Sequence, residues 1–221
     1  PTSAAYAIIA VHKPDAGLLA SISCRVDGTQ CAANLTNLPV TGTYTVIVQP
    51  ASGATGSLQA WLSRDATGAL ASGTPLRLTL SRPGQNARLT FPGTAGALIA
   101  LQVRDVVTNP AAQGLFITIG KPDGSWLTYA HLTGAGQILV APPLPVSGTY
   151  TVFLEPEAAA KGAATASMEV LLDPGQSLAV DGPTSDAAIG FPGGSARYTF
   201  AGTPGQNLGL GISNTALNPK V

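Results

Sequence analysis

The chain has 221 residues, enough for one large or two ordinary domains, and its 26 Gly and 18 Pro, both of which interrupt helices and mark turns, make up about a fifth of it. Eleven basic and eleven acidic side chains cancel to a net charge of zero, which leaves no electrostatic footprint for nucleic acid or an anionic membrane. With 45% hydrophobic and only 10% charged residues, the composition also excludes a disordered tail. No apolar run approaches the ~18 to 20 residues that span a bilayer, so membrane insertion is not expected. The absence of a starting Met and of a signal-peptide pattern is what a mature fragment or an excerpt would show.

In chain order, the first turn signal is Lys13-Pro14-Asp15. Next comes Cys24-Arg25-Val26-Asp27-Gly28-Thr29-Gln30-Cys31, where Asp-Gly is a strong two-residue hairpin turn. Folding about Asp27-Gly28 sets Cys24 opposite Cys31 within disulfide reach. A ring that small gives roughly 2.5 kcal/mol by loop-closure arithmetic, less any strain. A disulfide between Cys24 and Cys31 is therefore expected, and with it an oxidising compartment. In Thr43 to Val48, Tyr44, Val46 and Val48 alternate with Thr43 and Thr45, the period-two pattern of a half-buried strand. In Leu58 to Leu62 the same pattern turns Leu58, Ala60 and Leu62 toward a core and Trp61 outward.

After the turn Pro83-Gly84-Gln85-Asn86, further strands follow. Ile99, Leu101 and Val103 alternate with Ala100 and Gln102, and Leu115, Ile117 and Ile119 alternate with Phe116 and Thr118. Ala164, Ala166, Met168 and Val170 alternate with Thr165, Ser167 and Glu169. Pro122-Asp123-Gly124 and Gly134-Ala135-Gly136 are turns. Glu157-Ala158-Ala159-Ala160-Lys161 has helical composition but is too short to stand alone, so a loop or a single turn is expected. Short strands with turns every eight to twelve residues or so argue an antiparallel sandwich.

Self-similarity is the strongest signal. Leu38-Pro39-Val40-Thr41-Gly42-Thr43-Tyr44-Thr45-Val46 recurs 106 residues later, from Leu144 to Val152, with Thr41 changed to Ser147. Lys13-Pro14-Asp15 recurs at Lys121-Pro122-Asp123, an offset of 108. Ala87-Arg88-Leu89-Thr90-Phe91 recurs as Ala196-Arg197-Tyr198-Thr199-Phe200, an offset of 109. Gly93-Thr94-Ala95-Gly96 matches Gly202-Thr203-Pro204-Gly205, and Asn109-Pro110 matches Asn218-Pro219. The expected fold is all-β: tandem antiparallel β-sandwich repeats of the jelly-roll or Ig-like kind, with a period of about 107 to 109 residues.

From Ala87 the order Ala-Arg-Leu-Thr-Phe-x-Gly-Thr-x-Gly, a hydrophobic strand, Leu115 to Gly124, Gly148 to Val152 and a closing strand near Met168 to Leu172 resembles the bacterial pre-peptidase C-terminal domain, a small β-sandwich. It is also similar to repeats of large secreted Rhs/YD-type and adhesin-like bacterial proteins. That resemblance implies an accessory, extracellular or cell-surface, non-catalytic unit. On this framing residues 77–175 form a complete sandwich, 1–76 a unit lacking its first two strands, and 176–221 the opening strands of the next. The C-terminal strands of one copy would complete the N-terminal unit of another, giving a fibre, stalk or extracellular filament by head-to-tail association with itself. The alternative is an accessory module that holds glycan or substrate for a larger secreted enzyme or adhesin.

No reactive centre is expected. His12 and His131 lie in different copies and neither recurs. Asp15, Asp27, Asp123 and Asp173 sit in turn-like sequence, where Asp caps its own backbone. Neither an EF-hand calcium loop, a Gly-x-Ser-x-Gly elbow nor a phosphate loop is present, so no catalytic residue, cofactor or metal site is assigned. Trp61, whose counterpart is Ser167, and Trp126 are the candidates for a domain contact or for stacking on a glycan. Asn34-Leu35-Thr36 is a glycosylation sequon of little weight in a bacterial setting.

Overall fold

A computed structural model describes residues 6–25, 32–50, 55–111, 113–133, 136–159, 162–163, 165–173, 175–187 and 196–213, and their regular structure is all-β. The strands are β1 (Tyr6–His12), β2 (Leu18–Arg25), β3 (Thr45–Pro50), β4 (Ala66–Ala69), β5 (Leu76–Leu80) and β6 (Ala87–Gly93). They continue with β7 (Ala100–Asn109), β8 (Leu115–Gly120), β9 (Trp126–Leu132), β10 (Gly136–Val140) and β11 (Gly148–Pro156). The last are β12 (Ala158–Ala159), β13 (Gly162–Ala163), β14 (Thr165–Asp173), β15 (Gln176–Leu178) and β16 (Tyr198–Phe200).

A five-stranded sheet, β4-β6-β11-β8-β9, and a four-stranded sheet, β10-β7-β14-β5, share one core. Alternation decides what each strand buries. Leu115, Ile117 and Ile119 of β8 and Tyr150, Val152 and Leu154 of β11 meet Leu101 and Val103 of β7 and Met168, Val170 and Leu172 of β14. The rings of Phe91 and Tyr150 stack at 5.4 Å within this core. Within these two sheets the strands pair antiparallel except β4 with β6. β4, from Ala66, joins the sheet edge beside β6.

The repeated motifs act as loop fasteners. In Leu144 to Tyr150 the Tyr150 hydroxyl reaches back to donate to Val146 O at 2.7 Å, and Tyr44 donates to Val40 O at 2.8 Å. Gly148 has φ +152 and Gly42 φ +155, and a Cβ there would lie 2.7 Å from Pro122 Cγ and 2.5 Å from Pro14 Cγ, respectively. Only glycine lets each proline ring pack that close. Asp123 accepts from Ser125 N at 2.9 Å, and Asp15 accepts from Gly17 N at 2.8 Å, so each Lys-Pro-Asp turn is closed by its own carboxylate.

The N-terminal strands form a separate three-stranded sheet, β2-β1-β3. Its registers repeat those of β9-β8-β11. Ile9↔Ile22 and Ile9↔Val48 stand where Ile117↔Ala130 and Ile117↔Leu154 do, and both β1–β2 and β8–β9 shift register one residue before the strand end. At the other end, β15 and β16 pair in parallel, as β4 and β6 do, with Ser177↔Thr199 standing where Ala69↔Thr90 does.

Two expectations need correction. Leu58 to Leu62 forms no strand, and Leu58 and Leu62 are exposed rather than turned to a core. Their counterpart β14 is held between β7 and β5, whereas residues 58–62 have no such neighbours among the described residues. Beyond Glu157, where a loop or a single turn is expected, Ala158–Ala159 pair antiparallel with Gly162–Ala163 as β12 and β13, and Ala160 and Lys161 lie outside the described residues. Glu169 does lie on the outer face of β14, yet it is buried, because Arg77 of β5 and Arg104 of β7 flank it in register and cover it. Its Oε2 is 3.2 Å from Arg77 Nη2, and its Oε1 is paired with Arg104.

Candidate functional site

Side chains capable of chemistry are engaged in local structure. His12 Nδ1 lies 3.0 Å from Ala16 O and closes its own turn. His131, on β9, stacks on Phe116 of β8, with centroids 4.4 Å apart. Its Nε2 is 3.3 Å from Glu157 Oε2, which also accepts from Gly114 N at 3.1 Å. This group ties the end of β9 to the loop before β8. Beside it lies a shallow cleft of about 200 Å³, lined among others by Asn34, Asn86, Phe116, Glu155 and Glu157. Its polar groups satisfy one another: Asn34 Nδ2 donates to Glu155 Oε1 at 2.7 Å, and Asn86 Nδ2 donates to Asn34 Oδ1 at 2.7 Å. The sequon asparagine is thus committed at both ends of its amide.

Among the described residues no three His, Cys, Asp or Glu side chains come together as metal ligands. No helix among them is long and apolar enough to cross a membrane. Cys24 is buried at the end of β2, while Cys31 and the Asp27-Gly28 hairpin lie outside the described residues. The carboxyls of Asp15 and Asp123 are both held below the usual 3.8. For Asp15 the main cause is the Gly17 N–H, then Lys13; for Asp123 it is the Ser125 hydroxyl, then the Ser125 N–H. Both are turn caps.

Trp61 and Trp126 are each exposed, Trp126 at the start of edge strand β9, and neither lines the cleft. They are not brought together in a shared concave site with it. Sequence reading missed the Arg77–Glu169–Arg104 group and the Asn34–Glu155–Asn86 chain, since both depend on strand register and long-range packing. The signal available was slight: one acidic and two basic residues on separate strands of low charge density.

The feature that stands apart is a pair of unfinished faces. In β3, Val46 is 55% exposed, although its counterpart Val152 is fully buried. In the C-terminal segment, Phe200 is 61% and Leu210 75% exposed, against 1% for Phe91 and 0% for Leu101. Leu38, Leu58, Leu62, Leu208 and Ile212 are exposed as well. Residues with the sequence signature of core thus stand in water at both ends of the chain, each beside a sheet edge with no neighbour among the described residues: β3 in one sheet and β16 in the other. A contiguous exposed apolar surface rimmed by an open edge favours association.

No family model and no curated protein matches the sequence. Among solved structures, the chain is similar to the pre-peptidase C-terminal domain of collagenase from Bacillus anthracis, a crystal structure at 1.0 Å. Identity is 12% and the TM-score 0.35, with 52% of this chain and 99% of that one covered.

Proposed function

We propose that this protein is a non-catalytic structural repeat of a secreted or cell-surface bacterial protein, whose β-sandwich units join head to tail into a fibre, stalk or extracellular filament. The observation that carries the reading is the contrast within a single chain. Side chains buried in the nine-stranded central sandwich are exposed at the equivalent places in the terminal segments, whose described residues form sheets of three strands and of two. A cleft whose amide and carboxylate groups bond one another, and histidines spent on loop closure, support a structural rather than a chemical role. In such arrays stability comes from each unit's own core plus the interface with its neighbour.

Sedimentation velocity over a range of concentrations, with negative-stain imaging of the same samples, tests the proposal. End-to-end particles that lengthen with concentration are expected. A monodisperse monomer at every concentration would refute it. The second reading, an accessory glycan- or substrate-holding module, draws on the exposed Trp126 and Tyr129 of β9. It requires retention on a glycan array that is lost in Trp126→Ala.

A further inference from the structure

We infer that residues 196–213 of a second copy of this chain dock on the N-terminal sheet in one defined register. This rests on the head-to-tail reading and adds the partner segment and its pairing. The central sandwich is the template. There β6 pairs antiparallel with β11, with Phe91↔Tyr150, Thr90↔Thr151, Leu89↔Val152 and Ala87↔Leu154. The β6 motif recurs 109 residues later and the β11 motif 106 residues earlier. Moving each residue by its offset gives Phe200↔Tyr44, Thr199↔Thr45, Tyr198↔Val46 and Ala196↔Val48 between two copies.

The geometry of the free edges agrees with that register. β16 already carries β15 on one side, in parallel, as β6 carries β4. β3 already carries β1 and β2 on one side, as β11 carries β8 and β9. Joining β16 of one copy to β3 of another gives the order β15-β16-β3-β1-β2, strand for strand the order and polarity of β4-β6-β11-β8-β9. The Phe200 ring then meets Tyr44 as Phe91 meets Tyr150, and Leu208, Leu210 and Ile212 close over the new core as Ile99, Leu101 and Val103 do in the old one.

The test uses the whole chain and two substitutions at positions exposed in it. Val46→Asp spoils the acceptor sheet and leaves the donor segment intact; Phe200→Asp does the reverse. Each alone is expected to associate at least about a hundredfold more weakly than the unaltered chain, because a carboxylate would be buried without a partner. Mixed in equal amounts, they form a one-to-one heterodimer that grows no further. Within that heterodimer Thr199→Cys, added to the Val46→Asp chain, forms a disulfide with Thr45→Cys in the Phe200→Asp chain and not with Thr43→Cys. If the unaltered chain associates but the mixture gives no heterodimer, or the Thr43→Cys pair cross-links as well as the Thr45→Cys pair, this register is wrong and the structural reading stands. If the unaltered chain never associates, both fall together.

Discussion

Removing the Tyr150 hydroxyl isolates the fastener that both copies share. Tyr150 is fully buried; its hydroxyl donates to Val146 O at 2.7 Å and accepts a long bond from Val146 N at 3.4 Å. Tyr150→Phe keeps the ring stacked on Phe91 and deletes only these bonds. The net loss of one good bond, with a partly buried acceptor left unmatched, is about 1 to 2 kcal/mol. For a sandwich of this size each kcal/mol shifts the midpoint by about 4 °C, so a fall of about 4 to 8 °C is expected. Tyr44 makes the same bonds, at 2.8 and 3.3 Å, but its ring is only partly covered. Water can replace its partner, and Tyr44→Phe should stay within about 0.5 kcal/mol. Scanning calorimetry with urea unfolding of both variants decides the matter. An equal loss from the two substitutions, or none from Tyr150→Phe, would contradict the idea that burial of the corner, rather than its sequence, sets its worth.

Glu169→Ala leaves Arg104 without the buried carboxylate it faces and should cost about 3 kcal/mol in urea unfolding. Arg77→Ala, at an 83% exposed side chain, should cost under about 0.5 kcal/mol, and the reverse ranking would mean that Arg77 carries the pair. Ser125→Ala removes the hydroxyl that chiefly lowers the Asp123 carboxyl, so its titration midpoint in carbon-detected NMR should rise toward 3.8. Because the folded values of Asp15 and Asp123 lie below the ordinary one, whatever they add to stability is present above pH about 4 and lost as pH falls through their folded midpoints. Intact mass after alkylation in denaturant without reductant should show both Cys24 and Cys31 unlabelled, and labelling of either thiol would remove the proposed disulfide.

Much of the fold was legible because it is written locally. The alternation in Leu115 to Ile119 gave the buried face of β8, and Pro-Asp-Gly gave the turn that follows it. The repeated Leu-Pro-Val-x-Gly-Thr-Tyr gave the two corners. What failed was each statement that needed a neighbour. Leu58 and Leu62 have the alternation of a core strand and yet are exposed. The His131–Glu157 and Asn34–Glu155 pairs join residues 26 and 121 positions apart and left no trace in spacing.

By itself, then, the sequence determined the strands of the central sandwich such as β7, β8 and β14, their inward sides, the turn caps and the recurrence, since these follow from backbone sterics and side-chain alternation over a few residues. Only the tertiary structure decided which strands sit side by side and, through that, which apolar faces are covered. Burial is a property of two surfaces brought together, and at both ends of this chain the second surface is not supplied by the described residues themselves.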